Sequence, residues 1–160
     1  MEVRPVNSLV IYCSHKGNTE KVARRIADAL QARGRSQVMR TDEVPATIPP
    51  DVDLVFIGGP TEGHGMTPEM TGLLDRLDRP SLRGRAAAAF DTRVDWPRIL
   101  SGSAGDRIAA RLRAGGVRVV GPVGSFIVSM APELKPGELD RAATWAAEVA
   151  ESATLAAAPA

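Results

Sequence analysis

The 160-residue sequence predicts an α/β fold, a three-layer sandwich in which helices cover both faces of a five-stranded parallel sheet. Three observations carry that expectation. Apolar, β-rich runs alternate along the chain with segments of helical period. The connections are short, so successive strands lie parallel through right-handed crossovers. The runs LVIYC at 9–13 and DLVFIGG at 53–59 are almost wholly apolar, as in strands buried on both faces.

Leu9 to Cys13 forms the first strand, with Tyr12 as packing and Cys13 as a core thiol. A polar loop leads into a helix with Val22, Ile26, Ala29 and Leu30 on one face and Gly34 placed to end it. A short strand spans Gln37 to Arg40, and Pro45, Pro49 and Pro50 mark an irregular connection to the third strand. Thr67, Pro68 and Glu69 open the next helix, because threonine accepts an unpartnered backbone N–H and proline gives up one that has no acceptor there. That helix turns Met70, Leu73, Leu74 and Leu77 inward. AAAAF at 86–90 is a small-residue fourth strand, and Ser103 caps a helix bearing Ile108 and Leu112 that Gly115 and Gly116 terminate. VRVVG and SFIVSM together supply the last strand, bent at Pro122 and Gly124. The final helix begins near Pro136 and carries Leu139, Ala142, Trp145, Ala146 and Val149, with Trp145 in the core. Residues 1–152 make one domain, and the Ala-rich tail at 153–160 is expected to fray.

Composition narrows the function. Lys and Arg total 20 against 19 Asp and Glu, and aromatic residues make up 4%, so neither a basic footprint nor stacking platforms for nucleic acid are expected. One cysteine cannot form an intrachain disulfide, and no Cys/His cluster has zinc spacing. The expectation is a reducing compartment, the cytoplasm, and no metal ligands. The first residues lack a signal-peptide pattern, and the uncharged stretch at 119–132 is broken by Gly121, Pro122 and Gly124, so no membrane span is expected.

In an open parallel sheet, ligands gather beyond the carboxyl ends of the strands where the strand order reverses. The loops there are SHKGNT at 14–19, PTEGHGMTPEM at 60–70 and DTRVDWPRILSGSAG at 91–105. The first suits phosphate, since a tight loop feeding a helix offers backbone N–H groups and the positive end of the helix dipole. Ser14, Asn18 and Thr19 add side-chain donors, and Gly17 lets a ligand approach the backbone. The glycines are too few for a Walker A loop or GxGxxG. The same residues also suit a plain polar turn capping a helix. His15 and His64 are candidates for ligand contact. Met66 fills a gap. Arg93, just beyond the fourth strand, either neutralises ligand charge or sits in a surface ion pair. Trp96 either touches a ligand ring or roofs the strand ends.

The first strand followed by SHKGNTEKVA resembles the FMN phosphate loop of flavodoxins, written T/S-x-T-G-x-T. GGPTEGHGMTPEM after the third strand is similar to the family's second flavin loop, and the resemblance runs from about Ser8 to Val149 in order and spacing. It implies the flavodoxin strand order 2-1-3-4-5 with FMN at the switch point. Cofactor contacts are then implied for Ser14, His15, Lys16, Gly17, Asn18 and Thr19 in the first loop and for Pro60, Thr61, Glu62, Gly63, His64 and Gly65 in the second. Thr92, Arg93 and Trp96 supply those of the third. A peptide of the second loop that reorients on flavin reduction would pivot at Gly63, with Gly65 in reserve.

Three departures from the family pattern stand out. Lys16 occupies a position usually held by a hydroxyl, the third loop lacks the stacking Tyr, and the formal charge of +1 differs from the strongly acidic carriers. The resemblance implies an FMN-binding protein that transfers electrons or hydride, as a carrier or as an NAD(P)H- or quinone-reducing oxidoreductase. Its partner would be a redox protein or a small-molecule donor or acceptor. The flavin carries the chemistry, so no side chain is assigned a catalytic role. The alternative is a flavodoxin-like binding or regulatory module that has lost its flavin.

Overall fold

The computed structural model describes residues 4–157. One parallel sheet is built from β1 (Ser8–Tyr12), β2 (Ser36–Arg40), β3 (Leu54–Pro60), β4 (Ala86–Val94), β5 (Arg118–Val119) and β6 (Gly124–Val128). The order is β2-β1-β3-β4-β5, with β6 also pairing β4. β5 meets β4 at Ala86 and Ala87, whereas β6 meets it from Phe90 to Val94. The two are halves of one position in the sheet, so the order 2-1-3-4-5 holds with a sixth strand.

Side chains alternate between the two faces with the period of 2 that a strand imposes. Val10, Tyr12, Leu54, Phe56, Ala88 and Phe90 pack against α1 (Asn18–Leu30) and α6 (Glu138–Ala157). Leu9, Ile11, Cys13, Val55, Ile57 and Ala89 pack against α2 (Pro68–Arg76), α3 (Arg79–Arg83) and α5 (Ala104–Ala114). A further short helix, α4 (Arg98–Ser101), lies in the connection after β4. Trp145 anchors α6 on the sheet, edge-on to Phe56, Phe90 and Phe126 at centroid distances of 5.5, 6.2 and 5.8 Å. Among the described residues, no helix is long and apolar enough to cross a membrane.

Caps fall where the sequence places them: the Thr67 side chain accepts from the Met70 amide, and that of Ser103 from the Asp106 amide. Three expectations are corrected. β4 does not stop at Phe90 but continues to Val94, because a buried hydrogen-bond network described below accommodates polar Asp91 inside the strand. The last strand is interrupted at 120–123, where Gly121 takes φ 73° and the Pro122 carbonyl accepts from the Trp145 indole at 3.0 Å. Gly34 is not the cap of α1, which ends at Leu30. A Cβ there would meet the Val6 carbonyl oxygen at 2.2 Å, so Gly34 serves a close chain crossing. α6 runs through Ala157, so residues 153–157 are helical, and Ala153 is buried in the core. Residues 158–160 lie outside the described residues.

The outer side of β6 is covered by the chain that follows it. Lys135 N donates to the Ile127 carbonyl at 3.0 Å, and Ile127 N donates to the Glu138 carboxylate at 2.6 Å. Arg141 pairs with the same carboxylate at 2.7 Å and stacks its guanidinium 4.8 Å from the Phe126 ring centre. Burial alone would raise the Glu138 pKa, but Arg141 and the Ile127 amide outweigh it and hold the carboxyl below its ordinary range.

Candidate functional site

The first loop turns sharply out of β1. Ser14 Oγ accepts from Gly17 N at 3.1 Å, and Gly17 takes φ 88°, a left-handed conformation that glycine adopts without a Cβ clash. α1 starts immediately, so the amides of its first turn have no carbonyl inside the helix to bond. Asn18 and Thr19 are buried. Asn18 Nδ2 donates to the Pro132 carbonyl at 2.8 Å, and Thr19 Oγ1 lies 2.8 Å from Thr92 Oγ1. These two bonds fasten the first loop to the last loop and to β4.

In the second loop, Thr61 N donates to the Thr92 carbonyl at 2.8 Å and Thr61 Oγ1 accepts from Ala104 N at 3.0 Å. Glu62 and Gly65 exchange two backbone hydrogen bonds of 3.0 Å around Gly63 (φ 56°) and His64 (φ 67°), a two-residue turn of the primed type. The connection after β4 presses on that turn. Gly102 has φ 72°, and a Cβ on it would sit 2.1 Å from the His64 carbonyl oxygen.

His15 joins the two loops electrostatically. Its Nδ1 lies 2.9 Å from Glu62 Oε1 and its Nε2 3.1 Å from Glu69 Oε1. Those carboxylates favour the doubly protonated ring and raise its pKa above the ordinary imidazole value. The Glu69 carboxyl is held below its usual range, first by its own backbone amide at the start of α2 and then by His15. Cys13 lies beneath, its Sγ 3.8 Å from His15 Nε2 and 3.4 Å from Thr67 Oγ1, and burial pushes its thiol pKa up.

At the end of β4, Asp91 is fully buried and its carboxylate is met by three donors. Gly105 N donates at 2.9 Å, Ser125 Oγ at 2.6 Å, and Ser103 Oγ also donates. A buried carboxylate is tolerable only when its lone pairs are taken up in this way, here partly by the N-terminus of α5. Arg93 extends the network, with Nε donating to Ser125 Oγ at 2.7 Å and Nη1 to the Trp96 carbonyl at 2.7 Å. It therefore lies within the strand and, among the described residues, is held by these hydrogen bonds rather than by the surface ion pair its sequence position also allowed.

Together these elements enclose a cleft of about 250 Å³ at the carboxyl edge of the sheet. Of the residues singled out in the sequence, Ser14, His15, Lys16, Asn18, Thr19, Pro60, Thr61, Glu62, Thr92 and Arg93 line it. Gly17, Gly63, His64, Gly65 and Trp96 do not: the first shapes the turn before α1, the next three form the outer turn, and Trp96 is half exposed. Val94, Val128, Ser129, Met130 and Pro132 complete the lining and were missed. The rule that ligands gather at strand ends applies equally to SFIVSM and would have found Val128, Ser129 and Met130, with Pro132 just beyond it.

A cleft at the switch point of a doubly wound parallel sheet, opening on the first turn of a helix, defines a doubly wound α/β protein with its cleft where ligands of such sheets gather. The chain belongs to the flavodoxin family, whose model, Flavodoxin, matches residues 10–150. Comparison with curated protein sequences finds no match. Among solved structures, a flavodoxin from the domain Archaea is similar at 21% identity and a TM-score of 0.74, over 91% of this chain and 97% of that one. Oxidised flavodoxin 2 from Bacillus cereus is similar at 25% identity and a TM-score of 0.71, over 91% and 99%. Rubredoxin oxygen:oxidoreductase from Desulfovibrio gigas matches at 18% identity and a TM-score of 0.73, with 96% of this chain covering 38% of that larger protein.

Proposed function

We propose that the cleft binds FMN and that the protein transfers electrons or hydride through it. The carrying observation is the donor set at the α1 end of the cleft, where Ser14, Lys16, Asn18 and Thr19 line the wall without a carboxylate among them. Glu62 is the one acidic lining residue, and it belongs to the second loop. Such a set suits a phosphate dianion, which the first-turn amides and Lys16 would hold. The paired Thr19 and Thr92 hydroxyls share one hydrogen bond, so one of the two keeps a proton to donate. When bound, the isoalloxazine supplies the redox chemistry, accepting electrons singly or in pairs.

The chain's own residues then orient and insulate that group. Pro60, Thr61 and Glu62 form one wall. Arg93, fixed by Ser125 and the Trp96 carbonyl, and Val94 form the floor, while Met130, 73% exposed, stands at the mouth. The partner is a redox protein or a small-molecule donor or acceptor. The free, buried Cys13 thiol supports operation in a reducing compartment, the cytoplasm.

Calorimetric titration of the flavin-stripped chain with FMN, FAD and riboflavin tests the reading. FMN is expected to bind at least about tenfold more tightly than riboflavin, roughly 1.4 kcal/mol for the phosphate contacts. Equal affinity would remove the phosphate cradle. Failure to bind any flavin would overturn the proposal and leave the flavin-free module.

A further inference from the structure

We propose that Cys13, His15 and Glu69 form a three-ligand binding site for one zinc ion beside the cleft. Nothing in the flavin reading uses these groups as a set, and the inference stands without that reading. Cys13 Sγ lies 3.8 Å from His15 Nε2, and Nε2 lies 3.1 Å from Glu69 Oε1. All three ligand atoms fall within 4.8 Å of one another. A tetrahedral zinc ion with ordinary Zn–S, Zn–N and Zn–O bonds sets such atoms about 3.4–3.6 Å apart, so small side-chain shifts suffice.

The atoms around the ligands fit as well. A metal-bound imidazole keeps its orientation when its other ring nitrogen donates to a carboxylate, and His15 Nδ1 lies 2.9 Å from Glu62 Oε1. A thiolate needs a donor once it has lost its proton, and the Thr67 hydroxyl lies 3.4 Å from Sγ. The ligands come from the end of β1, the first loop and the first turn of α2, so the ion would tie the strand end to the helix start.

The donor set selects the metal. Thiolate, imidazole and carboxylate form a borderline-soft combination that suits zinc, whereas magnesium and calcium require oxygen ligands throughout. One thiolate and one carboxylate balance the two positive charges. Binding displaces the thiol proton and the Nε2 proton, while the Nδ1 proton stays on its bond to Glu62. Three protein ligands leave the fourth position to water.

The test uses the full chain, stripped with a chelator and then titrated with Co²⁺ as a spectroscopic stand-in. Difference spectra against the same sample before metal addition cancel any bound chromophore. The expected result is one equivalent of Co²⁺, with a thiolate-to-cobalt charge-transfer band in the near ultraviolet that one equivalent of Zn²⁺ abolishes. In competition with a zinc indicator, Glu62→Gln is expected to weaken binding by about 10–100-fold and Glu69→Gln by at least as much. Asp28→Asn, remote on α1, is expected to leave it unchanged. Because Cys13 is buried and Cys13→Ser can disturb packing, the exposed Glu69 variant carries the decision. A cobalt spectrum without the thiolate band, or unchanged zinc affinity in Glu69→Gln, would overturn the proposal.

Discussion

The Glu138 carboxylate carries a proton-linked share of the protein's stability. Arg141 and the Ile127 amide favour its charged form in the fold, so the native state binds its proton less readily than the unfolded chain does. The sign follows. This share is present above the ordinary glutamate pKa and is lost as pH falls through the lowered value. Urea unfolding of the wild type and Glu138→Gln from neutral pH into acid checks it: the stability difference should be full near neutrality and fade only below the ordinary glutamate range. A constant difference would show that the contact acts through packing alone. Local grammar made some residues of this kind legible, as with Thr67 and Ser103, whose caps need only neighbours three positions away. The His15 contacts were not legible, because Glu62 and Glu69 lie 47 and 54 positions along the chain and only the parallel sheet brings them together.

At the scale of elements, the turn of Gly63 and His64 and the connection carrying Gly102 act as one body. Gly102→Ala would have to adopt a positive φ and displace the His64 carbonyl at once. A loss of about 1–3 kcal/mol is expected for the backbone strain. Amide exchange at Glu62 and Gly65 should accelerate with it, because their paired hydrogen bonds close the turn against which Gly102 rests. Denaturant unfolding and hydrogen exchange check the two halves of this prediction, and exchange at those amides matching the wild type would sink the mechanical link. The identities and order of the main elements were legible because buried strands and amphipathic helices have different periods. The length of β4 was not. DTRV reads as loop chemistry until Ser103, Gly105 and Ser125 satisfy the Asp91 carboxylate, and those partners come from α5, its cap and β6.

For the whole molecule, the proposed cofactor should appear as a change in global stability. With free FMN at about 100 times its dissociation constant, binding to the native state alone adds about 2.7 kcal/mol. For a domain of this length that corresponds to a rise in Tm of about 5–11 °C. Thermal scans with FMN at saturating concentration check it, and an unmoved Tm counts against the cleft as a flavin site. The interrupted fifth position of the sheet has a different consequence, for association between copies. An open sheet edge offers unpaired N–H and C=O groups to another chain. Here that edge consists of β5, two residues long, then a break containing Pro122, which has no N–H to give, then β6, whose Ile127 groups are already bonded to Lys135 and Glu138. No run of vacant donors is long enough to template a foreign strand. The split that breaks the regularity of the sheet thereby protects this edge against β-type aggregation in a crowded solution.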